Sequence, residues 1–196
     1  MQATDKEPRL AKPGAGLPLI EWAIAKFILI PRRFKSVTPN LALEEIDSEA
    51  HAIREMAAPL TTEQLRQRRL IPRPRGLEDS SRYWSIAMTI QHVVIVNNLI
   101  RHVVLGLSQG KIDEKEASIA AVKPPADVDP ATIITTFEQA SKTFIEQLST
   151  VELERFPNAK YAHPWFGPLN AREWLLFAAP HMRIHKGQIA EIIKRL

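Results

Sequence analysis

The chain has 196 residues, 45% hydrophobic and 24% charged, a composition ordinary for a soluble globular protein with one well-buried domain. It contains no Cys, which excludes disulfides, thiolate metal ligands and a cysteine nucleophile. A formal net charge of +4 falls short of a nucleic-acid signature by itself, so a DNA or RNA binder rests on a pI of about 9.5 and one arginine cluster alone.

Residues 1–16 are polar, rich in Pro and Gly, and read as a flexible lead. No secretory signal is read, because the first apolar run comes late and no small-residue cleavage site follows it; a cytoplasmic protein is expected. Leu17 to Ile30 carries Ile20, Ala23, Ile24, Phe27 and Ile28 at helical spacing, and Pro31-Arg32-Arg33 is expected to stop it. This segment is too short to span a bilayer, and Glu21 and Lys26 interrupt it, so no transmembrane segment is expected. It reads as an extra helix packed on the bundle or on a second subunit. The alternative is an interfacial helix whose basic flank meets anionic lipid. Residues 1–37 thus form an N-terminal arm, and 38–196 a helical domain.

Thr38-Pro39 reads as an N-cap with Pro at the first helical position. Leu43, Ile46, Ala50, Ile53 and Ala57 form the stripe of the first bundle helix, with His51 off its centre. Pro59 ends it. Thr61 to Gln64 reads as a capping box that starts a short helix. Arg66, Arg68, Arg69, Arg73 and Arg75 follow. Such a run is ordinarily a solvated loop; as a functional feature, Arg69 and Arg73 would clamp a substrate carboxylate, a phosphate or an acidic partner.

Asp79-Ser80-Ser81 is expected to cap a second bundle helix over Ser81 to Leu107, apolar on most of its surface, with His92 in the middle of its buried stripe. A lone histidine there would be a hydrogen-bonded core residue. His102 faces elsewhere. The connection from Ser108 to Asp129 is long, so the next helix is not a tight antiparallel neighbour of the last. Asp129-Pro130 is expected to cap the third helix, whose stripe is Ile133, Phe137, Ala140, Phe144 and Leu148. The loop that follows holds His163-Pro164-Trp165-Phe166-Gly167-Pro168, too apolar for an exposed linker. Asn170 with Glu173 caps the fourth helix, which places Trp174, Ala178, His181, His185, Gln188 and Ile192 on one face. Pro180 lies inside it, cannot donate to the Leu176 carbonyl, and is expected to kink the axis. No strand-like alternation stands out. The fold class is all-α: four main helices and an additional N-terminal helix.

His181 and His185, at i and i+4, can reach one point in space, and His92 offers a third imidazole from another buried stripe. Three neutral imidazoles with an open position make a catalytic type of metal site, suited to Zn, Ni or Fe, that can activate a water or bind a substrate atom. Met182 stands where a zincin protease would place its general-base Glu, which argues against that route to peptide hydrolysis. No phosphate-binding Gly-rich loop, nucleophile elbow or paired carboxylate is found. Gln188, Trp174 and Trp165 are expected beside the metal as supporting or substrate-contacting residues.

Trp84-Ser85 with His92, and His181-x-x-x-His185-x-x-Gln188, resemble the DinB/YfiT-like superfamily of metalloenzymes. The stretch from His163 to Trp174 is similar to the His-Pro-x-Phe-Gly…Glu-Trp segment of one branch. The resemblance covers about residues 40 to 196 and leaves out the arm. It implies an up-down-down-up four-helix bundle and a divalent metal, Zn or Ni, held by His92, His181 and His185. It also implies a homodimer, and chemistry of the kind run by thiol-dependent transferases and isomerases that use a low-molecular-weight thiol. Many relatives carry a further His just before the last ligand; Ile184 occupies that place here, and the triad survives. The function expected is a metal-dependent S-transferase or hydrolase acting on a small molecule. The alternative is a non-catalytic helical module that mediates dimerisation or membrane contact.

Overall fold

The computed structural model describes residues 7–111 and 118–196, so the start of the lead and part of the connection after the second bundle helix lie outside the described residues. In chain order the elements are α1 (Leu19–Ile24), a π-helical turn (Ala25–Leu29), α2 (Ile30–Ser36), α3 (Pro39–Ala57), α4 (Thr62–Arg66), β1 (Arg69–Leu70), β2 (Tyr83–Trp84), α5 (Ile86–Leu107), α6 (Ile133–Leu148), β3 (Tyr161–His163), β4 (Gly167–Leu169) and α7 (Ala171–Ile193).

The long helices form a four-helix bundle. Helix α3 packs on α7 and α6, and α5 packs on the same two, so α3 and α5 face each other across the diagonal. The consecutive pairs α3–α5 and α6–α7 lie on the diagonals and are joined by long connections, while α5 and α6 pack side by side and are also joined by a long one. The core is built from the predicted stripes: Ile46 and Ile53 of α3, Ile90 and Ile100 of α5, Phe137 and Phe144 of α6, and Leu175 and Ile189 of α7 are all at most 1% exposed. Among the described residues, α5 is the one helix long and apolar enough to cross a membrane by length and composition. Its place is the bundle core, packed on both α6 and α7.

Three caps fall where local chemistry puts them. Thr38 accepts the Leu41 N–H, and Thr61–Gln64 and Asn170–Glu173 form reciprocal capping boxes. Two others move. The cap of α5 is Ser85, which accepts the Met88 N–H at 3.1 Å, and not Asp79-Ser80-Ser81, which form a 3-10 turn. The reason is tertiary: Tyr83 and Trp84 pair antiparallel with Leu70 and Arg69, which holds them extended. The third bundle helix starts at Ile133, while Asp129 accepts from the Ala131 N–H and the Thr132 hydroxyl one turn earlier. The apolar stretch 163–168 closes a second small ladder, Tyr161–His163 against Gly167–Leu169. These two ladders are the strands that the sequence did not show; at two and three residues each they are too short for an alternation pattern.

The arm's helix does not stop at Pro31. It runs on to Ser36 because the widened π turn, with the Ile30 N–H bonded to the Ala25 carbonyl, restarts the ladder so that Pro31 falls in the first turn of α2, where a missing N–H does no harm. The arm docks in cis. Arg33 Nε donates to the Leu176 carbonyl at 2.5 Å and its Nη2 to Glu45 at 2.7 Å. Leu176 is the carbonyl that Pro180 leaves without an intrahelical donor. Pro180 therefore creates the acceptor on which the arm is latched. Arg172 returns the contact, donating to the Phe34 and Val37 carbonyls at 2.8 Å each.

Candidate metal centre

The bundle brings His92, His181 and His185 together. Each offers a ring nitrogen within 4.8 Å of the others, and the ring centroids of His185 lie 4.5 Å from both His92 and His181. Two of the imidazoles have their tautomer set. His92 Nδ1 donates to the Val122 carbonyl at 2.8 Å, which leaves a lone pair on Nε2. His185 Nδ1 donates to Gln188 Oε1 at 2.8 Å, and the Gln188 amide is itself oriented by donating to the Ser81 carbonyl at 2.7 Å. Gln188 is fully buried, so nothing else competes for it. Trp84 lies nearly parallel to His185, 6.3 Å away, and walls the site from behind.

The donor set fits a divalent ion. Nε2 of His92 and Nε2 of His181 are 3.3 Å apart. Two nitrogens each about 2.05 Å from a tetrahedral ion would also be separated by about 3.3 Å. His181 Nδ1 is buried and has no hydrogen-bond partner among the described residues. Burial pushes the His92 pKa down to about 4, reinforced by the Lys123 charge and opposed by the Val122 bond. His181 and His185 are driven well below the ordinary value, again by burial first and then by their histidine neighbours. All three are neutral at neutral pH, the state a metal ligand needs.

The site opens on a cavity of about 760 Å³ between the bundle and the arm. Trp174 and Trp165 both line it. Trp174 Nε1 donates to the Tyr161 carbonyl at 3.1 Å, and the Trp165 carbonyl accepts from Trp22 Nε1 at 2.8 Å. The two candidate anion-binding arginines separate. Arg73 lines the cavity but is paired with Glu21 at 2.5 Å. Arg69 is not among the lining residues; its Nε donates to the Arg195 carbonyl at 2.7 Å and ties down the C-terminus.

Sequence reasoning missed a fourth histidine and a lysine. His163 lines the cavity, accepts the Trp165 N–H on Nδ1 at 3.1 Å and so keeps its proton on Nε2. Burial pushes its pKa down to about 3. Its signal was available, because a histidine inside so apolar a loop has to be buried. Lys123 also lines the cavity, held by Glu78 at 3.1 Å and by Ser80 and Ser81 at 2.6 and 2.8 Å. Nothing local marks Lys123, which lies in a connection without periodicity.

A sequence model of the DinB superfamily matches residues 45–189. The chain belongs to the DinB superfamily. The solved structure of TT2238, described as a four-helix bundle protein, is similar with a TM-score of 0.55 at 20% identity, covering 78% of this chain and 98% of that one. At that identity the likeness speaks for the fold alone. No curated protein matches the chain. The DinB match spans the bundle and all three histidines but begins after the arm, so α1 and α2 are an addition to what the superfamily model describes.

The buried histidines make acid stability a direct readout. Their folded pKa values lie below the unfolded value near 6.5, so the unfolded chain takes up protons first as pH falls, and stability drops with it. For His92 the loss runs from about pH 6.5 down to about 4, and for His163 down to about 3. In chelator-treated protein the melting temperature is expected to fall steadily between pH 7 and 4, with a shallower slope in His163→Phe. A flat profile over that range would contradict the burial.

Proposed function

We propose that this DinB-superfamily chain is a divalent-metal-dependent enzyme, with His92, His181 and His185 as the metal ligands and a thiol or water as the attacking group. The observation that carries the reading is the convergence of three neutral imidazoles, two with tautomers fixed by Val122 and Gln188, at the wall of a ligand-sized cavity. A divalent ion there, its charge uncompensated by three neutral nitrogens, supplies Lewis acidity to a thiol or water; zinc, nickel and iron all suit the donor set. A low-molecular-weight thiol as co-substrate follows the superfamily resemblance, and S-transfer or hydrolysis of a small molecule is the reaction class. His163, with its proton on Nε2, is placed to donate a hydrogen bond to a substrate group in the cavity. Trp174 and Trp165 wall the substrate, and Arg73 acts through Glu21 rather than as a free anion clamp. Arg68 and Arg69 donate to backbone carbonyls of Tyr83 and Arg195, which supports a small-molecule enzyme over a nucleic-acid binder.

The test is metal content. Protein purified without a histidine tag, loaded with zinc or nickel and dialysed, is expected to hold one ion per chain; no retained ion would overturn the proposal. Gln188→Ala is expected to weaken that affinity by roughly 10–100-fold while the fold persists, because it frees His185 to rotate and to change tautomer. Competition with a chromogenic chelator measures it.

A second reading, a docking module, is favoured by one observation. Leu19 and Phe27 are 76% and 64% exposed on the arm. We take that face as the proposed contact of a cytoplasmic homodimer, which light scattering of wild type against Phe27→Glu checks.

A further inference from the structure

Among the described arm residues, Phe34 of α2 packs against the hydrophobic core, while Ile20, Ile24 and Leu29 do not. None of the residues of α1, the π turn or α2 is buried, which is unusual for so apolar a helix. It is fixed by polar latches instead: Arg33 on the Leu176 carbonyl, Arg172 on those of Phe34 and Val37, Trp22 on that of Trp165, and Glu21 on Arg73 and the Gly76 N–H. Between the latches, Ile20, Ile24 and Leu29 line the cavity and do not interdigitate with the core, facing Leu99, Phe166 and Phe177 across it. Protein interiors pack to about 0.74 density, so a space of about 760 Å³ kept open by hydrogen bonds is a ligand site rather than a packing defect. Ser81, Glu78 and Lys123 bond one another on its wall beside the histidines, and Arg33, Arg73 and Arg75 also line it. The Glu21–Arg73 pair neutralises itself.

We propose that the cavity takes a single-chain amphiphile, its hydrocarbon tail along the inner face of the arm and a small anionic, metal-ligating head at the histidines. The head's binding rests on the metal reading above; the tail's does not. Such a site reads chain length, because each methylene removed from water adds the same increment of affinity until the slot is full.

The probes are alkyl hydroxamates from acetohydroxamate to dodecanohydroxamate, titrated by calorimetry into zinc-loaded and metal-free protein. Affinity is expected to tighten about threefold to fourfold per methylene in the loaded protein. In the double variant Ile24→Glu, Leu29→Glu the chain-length series is expected to flatten while metal content is retained. Both positions are part-exposed, at 44% and 58%, so the fold tolerates them, and circular dichroism verifies it. Affinity independent of chain length in the loaded wild type, in plain buffer and with vesicles alike, would overturn the slot. If the protein retains no metal yet the chain-length series persists in the metal-free form, the slot stands and the metal reading falls. Repeating the series with phosphatidylcholine–phosphatidylglycerol vesicles separates the sources of the tail. A slope in plain buffer assigns a free amphiphile, a slope only with vesicles assigns a lipid surface, and no slope in either overturns the proposal.

Discussion

His92→Ala and His185→Ala are each expected to abolish stoichiometric metal while the helical signal survives. Metal held by a four-ligand protein site is worth roughly 10–16 kcal/mol, so each ligand supplies on the order of 3 kcal/mol, and losing one weakens binding by at least about 100-fold. The truncations cost far less in folding. His92 sits on α5 among Ile90, Val93 and Val96, and the Val122 carbonyl that it leaves is the one acceptor to be resatisfied, by water from the cavity. His51→Ala, on the exposed side of α3, is the control and should keep its metal. A second readout is thermal. At about 100 times the dissociation constant, metal should stabilise the wild type by about 2.7 kcal/mol, raising its melting temperature by roughly 5–10 °C, and should leave His185→Ala unmoved. Equal metal content in wild type and both variants would remove the triad from the site.

Glu78→Ala is expected to be the most damaging single change outside the core. The Glu78 side chain is 4% exposed to solvent and gathers four partners: it accepts from the Gly14 and Gly16 N–H groups at 2.7 and 3.2 Å, from Lys123 at 3.1 Å and from the Ser80 hydroxyl. One carboxylate thus ties the lead, the loop before α5 and the connection after it into a single unit beside the histidines. Burial alone would raise its pKa, but Ser80, Gly16 and Lys123 together hold it below the ordinary carboxylate value. Removing it strands the mostly buried Lys123 ammonium, and breaking such a pair costs about 3–5 kcal/mol, or roughly 10 °C in melting temperature. Glu78→Gln should cost less, because the amide oxygen still accepts from the glycines. The sign of the pH dependence follows from the lowered pKa. The contribution is fully present above about pH 4.5 and is lost as pH falls through the folded value, so wild type and variant should converge in acid. Release of the lead should also speed trypsin cleavage after Arg9. Melting curves that superimpose at pH 7 would show that the hub is not structural.

Much of the bundle could be read from the chain because its information is local. A 3.6-residue apolar period places Ile46, Ile53, Phe137 and Phe144 on buried stripes wherever the partner helices lie, and a capping box such as Asn170–Glu173 closes within four residues. The errors fall where a distant segment overrides a local preference. Asp79-Ser80-Ser81 has the composition of a cap, but pairing of β2 with β1 defers the helix to Ser85. Pro31 looks like a stop, and a π turn absorbs it. Pro180 looks like a kink, and its larger consequence is an acceptor that Arg33 occupies from 143 residues away in sequence.

The candidate site divides in the same way. By itself the sequence determined that His181 and His185 share a helix face, that His92 lies in an apolar stripe, and that Gln188 sits one turn past His185, because helical geometry fixes relations within a few residues. Only the tertiary structure decided that the three imidazoles meet, that His163 and Lys123 join the cavity wall, that Arg69 leaves it, and that the arm stands over it on polar latches. Those relations link positions far apart in the chain, through single hydrogen bonds and packed faces that no residue pattern specifies until the bundle closes.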